Sequence, residues 1–174
     1  MSEGQSQIKS LSHLVFYVTD AGRSAAFYHD VLNFDVLYDL NLGGADLESM
    51  SGLPGARGRI VVVQLGNDRI ELVEFRRPKS APRQEPPHPS IGYVNLALEV
   101  ENLDAVLAGI KRRGIPYDGE PVTIQGVRMF FIRDPDGNRV EFIQYGSADA
   151  QGVGHRRSRF GAQARGVSRE AESG

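Results

Sequence analysis

The 174-residue chain has no cysteine, no tryptophan and only three methionines. Without a thiol there is no disulfide framework, no thiolate metal site and no cysteine nucleophile, and the composition fits a reducing compartment. An excess of charge of one sign is also missing, since 20 basic against 22 acidic residues leave a formal charge of −2. That balance gives no long-range attraction to nucleic acid or to an anionic membrane surface. No apolar run approaches the roughly 20 residues that cross a bilayer. The opening MSEGQSQIKS also lacks the apolar stretch of a secretory leader. These absences predict a cytoplasmic protein with neither a nucleic-acid nor a membrane partner. A chain of this length buries about 70% of its unfolded surface, enough to fold without a cross-link or structural metal.

What the sequence does contain is one pattern used twice. His13-Leu-Val-Phe-Tyr-Val-Thr-Asp20 alternates and is rich in β-branched and aromatic residues, so it reads as a strand. Asp20 is placed to cap a helix from Ala21 to about Leu32. The segment Asn95-Leu-Ala-Leu-Glu-Val-Glu-Asn102 repeats the plan 82 residues later. There Asn102 caps a helix carrying Leu103, Val106, Leu107 and Ile110 on one face, with Gly114 at its end. Further on, Ile60 to Leu65, Gly66-Asn67-Asp68 and Arg69 to Phe75 read as strand, turn and strand. The run Phe130 to Arg133, Asp134-Pro-Asp-Gly-Asn138 and Arg139 to Tyr145 reads the same way. These closing strands align without gaps at an offset of 70, so the first unit is longer by 12 residues. The surplus falls in the Gly/Pro-rich stretch from Gly43 to Gly58. With strands near Asp35–Leu40 and Glu120–Ile124, each unit becomes a βαβββ module.

The expected organisation is therefore a polar extension over 1–10, a first module over 11–75, a proline-rich linker over 76–90 and a second module over 91–145. The two modules together make one domain over 11–145, and a tail without apolar periodicity occupies 146–174. The fold class that follows is α+β, two βαβββ modules forming a curved mixed sheet, a cup with the helices on its convex face.

Four positions recur between the modules. His13 and Asn95 open the first strands, and Glu71 and Glu141 lie in the last strands. A single strand histidine is usually a hydrogen-bonded structural residue, and a single strand glutamate usually faces solvent. Recurrence in both modules selects these residues from that background. Each glutamate is flanked by apolar residues, Ile70 and Leu72 or Val140 and Phe142. If the flanks face helices, the carboxylates face the opposite side of the sheet. Two inward carboxylates repel unless a cation or proton compensates, and a divalent metal shared with His13 would do so. His29, His88 and His155 have no counterpart in the repeat and are expected at the surface.

The segments His13-Leu-Val-Phe-Tyr-Val-Thr-Asp…Ala26-Phe-Tyr-His-Asp-Val-Leu-Asn-Phe34 and Arg133-Asp-Pro-Asp-Gly-Asn-Arg-Val-Glu-Phe142 resemble the opening and closing signatures of the vicinal oxygen chelate superfamily. Glyoxalase I, methylmalonyl-CoA epimerase, extradiol dioxygenases, fosfomycin-resistance enzymes and bleomycin-binding proteins belong to that superfamily. The resemblance covers about Leu11 to Tyr145 and implies metal ligands at His13, Glu71 and Glu141, closest in pattern to glyoxalase I. Asn95 stands where the metal-dependent members usually carry histidine. It is a weak fourth ligand through its amide oxygen, or supports a water in that position, or marks a lost metal site. This departure argues against extradiol dioxygenase chemistry and weakens a fosfomycin-resistance assignment.

The function implied by the resemblance is a glyoxalase-like lyase or isomerase acting on a small oxygenated substrate. A divalent Zn, Ni, Fe, Mn or Co ion would stabilise an enolate or oxyanion in it. Glu141 would be the base and Glu71 a ligand or second base. The alternatives are a metal-free, drug-sequestering protein of bleomycin-resistance type, and an epimerase or dioxygenase of the same superfamily. Met50, Leu53 and Arg57 lie in the inserted stretch, read as a loop able to cover the cup and touch substrate. The implied assembly is a homodimer, with the cup formed within one chain or between two.

Overall fold

The computed structural model describes residues 9–81, 91, 92 and 95–146. In chain order the elements are β1 (Leu14–Val18), α1 (Ala21–Asp30), β2 (Asp35–Gly43), α2 (Ala45–Ser51), β3 (Arg57–Leu65) and β4 (Asp68–Arg77), followed by β5 (Asn95–Glu99), α3 (Leu103–Arg112), β6 (Val122–Ile124), β7 (Val127–Arg133) and β8 (Arg139–Gln144). The class is α+β, with two four-stranded sheets of equivalent order, β1-β4-β3-β2 and β5-β8-β7-β6. In the first sheet β1 runs parallel to β4, and the β4/β3 and β3/β2 pairs are antiparallel. The proline-rich segment and the C-terminal tail of the sequence reading, with His88 and His155, lie outside the described residues.

Both helix caps form as the repeat requires. The Asp20 carboxylate accepts from the Arg23 amide at 3.0 Å, and the Asn102 side chain accepts from the Ala105 amide at 2.9 Å. Each satisfies one of the orphan N–H groups of a first turn. After α1 the chain leaves the helix through Asn33, at φ 62°, and the His29 ring hydrogen-bonds the Phe34 carbonyl at 2.8 Å. His29 is otherwise exposed, as expected of it.

Strand alternation decides which side chains the first sheet buries. One face carries Ile70 and Leu72 of β4 with Val61 and Val63 of β3, all buried. It packs against α1, whose Ala21, Ala25 and Tyr28 are buried as well. The Tyr28 ring meets Phe34 edge-on at 5.5 Å and Phe16 of β1 at 6.4 Å. Burying side chains of this size contributes about 1.5–3 kcal/mol each, which makes this layer the main core of the module.

The opposite face carries Val73 and Phe75 of β4 with Ile60 and Val62 of β3, and α2 covers it through the buried Leu47 beside Ala56. The stretch from Gly43 to Gly58, read from the sequence as an inserted loop, thus contains a helix. Seven residues with one buried apolar side chain are too few to show a helical period, and Gly44 at φ 70° gives no side-chain cap to announce it. β4 also continues two residues past Phe75, so Arg76 and Arg77 belong to a strand and not to the connection that follows.

In the second module α3 buries Leu103, Leu107 and Ile110. On its sheet Phe130 stacks on Phe142 at 4.9 Å. The chain divides into two compact units. The first comprises the residues up to Leu96 together with Ile132–Val140, and the second comprises Ala97–Phe131 with the residues from Glu141 onward. The Asp-Pro-Asp-Gly-Asn turn therefore belongs to the first unit, where it docks on α1.

Candidate functional site

Parallel pairing of β1 with β4 sets Val15 opposite Glu71. His13, two residues before Val15, lies on the same face, and its Nε2 stands 3.7 Å from Glu71 Oε1. The Ser12 hydroxyl meets the other ring nitrogen, Nδ1, at 3.1 Å, so the imidazole is oriented from both sides. Glu71 is about one quarter exposed and His13 a little over one third, so both groups remain open to a ligand. The residues beside Glu71, Ile70 and Leu72, are 2% and 0% exposed. The carboxylate is therefore turned to the sheet face opposite α1, as the flanking residues predict.

Glu141 sits in β8 with the same environment. It is half-buried between Val140 and Phe142, which are 0% and 4% exposed. Asn95 begins β5 and is half-buried. Both of these residues have interaction partners in the fold. Met50 is exposed on α2, Leu53 is exposed just after it, and Arg57 is exposed at the start of β3.

An imidazole and a carboxylate side by side are donors suited to a borderline divalent ion. A catalytic site of that kind takes at least three protein ligands. Among the described residues no group of three or more His, Asp or Glu side chains comes together so that it could hold a metal. The structure thus gathers His13 and Glu71 as a pair and does not complete a ligand set.

Sequence reasoning missed the work done by the Asp-Pro-Asp-Gly-Asn turn outside its own hairpin. Asp136 accepts from the Thr19 hydroxyl and, at 3.2 Å, from the Thr19 amide and the Ser24 hydroxyl. Arg23 pairs with the same carboxylate at 3.3 Å, and the Tyr28 hydroxyl donates to Asp134 at 3.3 Å. These contacts fix the β1–α1 junction, at the other end of β1 from His13. Turn chemistry was visible in the sequence, but a contact across more than 100 residues was not.

On the α1 side of the first sheet a second polar set ties strand ends together. Arg59 grips Asp39 with two hydrogen bonds, at 2.8 and 2.7 Å, which holds that carboxyl below its usual value and raises the guanidinium. Glu74 accepts from the Ala21 amide at 3.2 Å and from Arg76 Nε at 2.9 Å. The N–H of Arg23 likewise lowers the Asp20 carboxyl. These charges are satisfied within the set, whereas the His13–Glu71 pair on the opposite face stays partly open to solvent.

The equivalent strand orders of the two sheets, β1-β4-β3-β2 and β5-β8-β7-β6, define a fold of two repeated modules. Residues 10–142 match the model of the glyoxalase/bleomycin resistance protein/dioxygenase superfamily, and the chain belongs to that superfamily. It is similar to the protein YaeR of Escherichia coli K12, 27% identical over 140 residues that cover 79% of this chain and 97% of YaeR. It is also similar to the metallothiol transferase FosB of Staphylococcus epidermidis, 26% identical over 136 residues covering 78% and 81% of the two chains. Among solved structures, a glyoxalase-family protein of Bacillus cereus shares the fold with a TM-score of 0.71 at 20% identity, covering 82% of this chain and all of that one.

Proposed function

We propose that this chain is a metal-dependent enzyme of its superfamily, a glyoxalase-I-like lyase or isomerase acting on a small oxygenated substrate. His13 and Glu71 are its first two ligands, Glu141 is the third by its equivalence to Glu71, and Asn95 stands at the fourth position. The observation that carries the reading is the approach of His13 Nε2 to Glu71 Oε1 at 3.7 Å, with both groups open to solvent. A bound divalent ion, Zn, Ni, Fe, Mn or Co, would supply stabilisation of negative charge on a substrate oxygen.

The remaining chemistry belongs to the chain. Glu141 takes the proton next to a carbonyl and returns it to the neighbouring carbon, with Glu71 as the second carboxylate able to do so. His13, oriented by Ser12, holds its Nε2 toward the carboxylate. Met50, Leu53 and Arg57 are the proposed substrate contacts, carried by α2 and the chain that leads from it into β3.

A second reading has its own support. No three-donor group forms among the described residues, and Tyr17 and Tyr38, 65% and 58% exposed, lie on the same sheet face as Glu71. An open aromatic surface suits sequestration of a flat ligand without metal, as in the bleomycin-resistance type.

Metal analysis of the full chain purified without chelator separates the two. The metalloenzyme reading expects about one divalent ion per chain, a lower melting temperature in EDTA, and loss of the ion in His13→Ala and Glu71→Ala. Substoichiometric metal, with a melting curve indifferent to EDTA, refutes it in favour of the binding protein. If Asn95 faces the ion, Asn95→His raises the affinity, because imidazole is the stronger donor. The homodimer implied by the superfamily is checked by light scattering on the same preparation.

A further inference from the structure

The three antiparallel strands β2, β3 and β4 end together at one edge of the first module. Their register sets Gly43 opposite Arg57 and Arg57 opposite Arg77. Two arginines directly across a strand pair repel, and such a pairing is destabilising unless something lies between or beside them. Among the described residues neither side chain has a hydrogen-bond or ion-pair partner, whereas Arg59 and Arg76 on the same strands are paired. Arg76 adds a third guanidinium, fixed by Glu74 Oε1 and Asn41 Oδ1, each at 2.9 Å.

These three arginines line an open hollow of about 770 Å³ whose other walls are largely glycine, from Gly43, Gly44 and Gly58. None of the lining residues is acidic. The glycines leave backbone and guanidinium groups accessible where side chains would fill the space. At Gly58 glycine is obligatory, because a Cβ there would run into the Glu74 carbonyl oxygen. That close approach coincides with a bulge between Arg57 and Gly58, which brings Arg57 level with Arg77. The volume falls within the range of small-molecule sites and exceeds what a single inorganic ion fills.

We infer that this strand-end hollow binds the doubly charged oxyanion end of an organic ligand, a phosphate or a dicarboxylate, with Arg57 and Arg77 as the gripping residues and Arg76 as a fixed positive wall. Planar guanidinium forks match both oxyanions with paired hydrogen bonds, and an anion between them removes the repulsion that the free protein carries. Arg77 and Glu71 share a face of β4 six residues apart, about 20 Å along the strand. An anion here does not reach the His13–Glu71 pair, so Arg57, a substrate contact in the proposed function, would hold the ligand's charged end away from the reacting atoms. Anion binding is measured without metal, and its failure is therefore distinct from failure of the metal reading.

The test is calorimetric titration of the full chain with pyrophosphate and, separately, with citrate, in phosphate-free buffer at low salt. Saturable one-to-one binding of either is the expected result, with affinity falling as salt rises. Pyrophosphate binding alone assigns a phosphate-bearing ligand, and citrate binding alone a polycarboxylate. Arg57→Gln and Arg77→Gln should each weaken binding by about tenfold, while Arg69→Gln, at the far end of β4, should not. Without anion the first two variants should melt no lower than the parent, since they remove a like-charge pair. Failure of both anions to saturate, equal binding by all variants, or a lower melting temperature of Arg57→Gln and Arg77→Gln without anion overturns the inference.

Discussion

Replacing Asp134 by alanine tests whether the tight turn of the closing hairpin holds the first unit together. Asp134 is 5% exposed. Its Oδ1 accepts from the amides of Asp136 and Asn138 at 2.9 and 2.8 Å, and its Oδ2 from Asn138 Nδ2 at 2.8 Å and the Tyr28 hydroxyl at 3.3 Å. A hydrogen bond to a charged acceptor contributes about 1.5–3 kcal/mol. The four share one carboxylate and are not additive, so the expected loss is about 3–4 kcal/mol, not their sum. With a urea slope of about 2 kcal/mol/M, the unfolding midpoint should fall by about 1.5–2 M. Tyr28→Phe removes one long bond and keeps the ring packing, so it should cost only about 1 kcal/mol. The assay is urea unfolding of the full chain followed by far-UV circular dichroism. A midpoint shift below about 0.5 M for Asp134→Ala would refute the assignment, as would equal losses for the two variants.

Two further outcomes follow from the same structure. Asp39, gripped by Arg59, and Asp104, gripped by Arg128 at 2.7 and 3.0 Å, have carboxyls held below the usual value of 3.8. A depressed folded value means stability that is complete above the unfolded pKa and lost as pH falls through the folded one. The melting temperature should therefore hold down to about pH 5 and decline below about pH 4, and Asp39→Asn with Asp104→Asn should flatten the decline. Gly58→Ala should destabilise by about 1–3 kcal/mol in thermal melting, because its Cβ meets backbone that cannot swing aside.

The modular plan was legible because both halves of the chain spell it with strong local chemistry. Asp20 and Asn102 announce helix starts through a side chain that bonds the backbone three residues on. The flanks of Glu71 and Glu141 announce a buried face through alternation. α2 was not legible, since its single anchor, Leu47, is defined by the sheet face that it covers and not by a period of its own. Arg76 and Arg77 were read as the beginning of a connection because proline follows them, but pairing with β3 carries the strand to Arg77.

Local propensity and period therefore determined from sequence alone the two modules, their caps and the nomination of His13, Glu71, Asn95 and Glu141. Those signals act over a few residues and appear in any chain that repeats them. Only the tertiary structure decided that His13 reaches Glu71 across the β1–β4 pairing, and that the Asp134 turn docks on α1. It alone also set Arg57 opposite Arg77 at the mouth of a glycine-walled hollow. The first and last of these depend on strand register and the second on a turn docking against a helix, and both join residues whose separation in the chain carries no trace of their meeting.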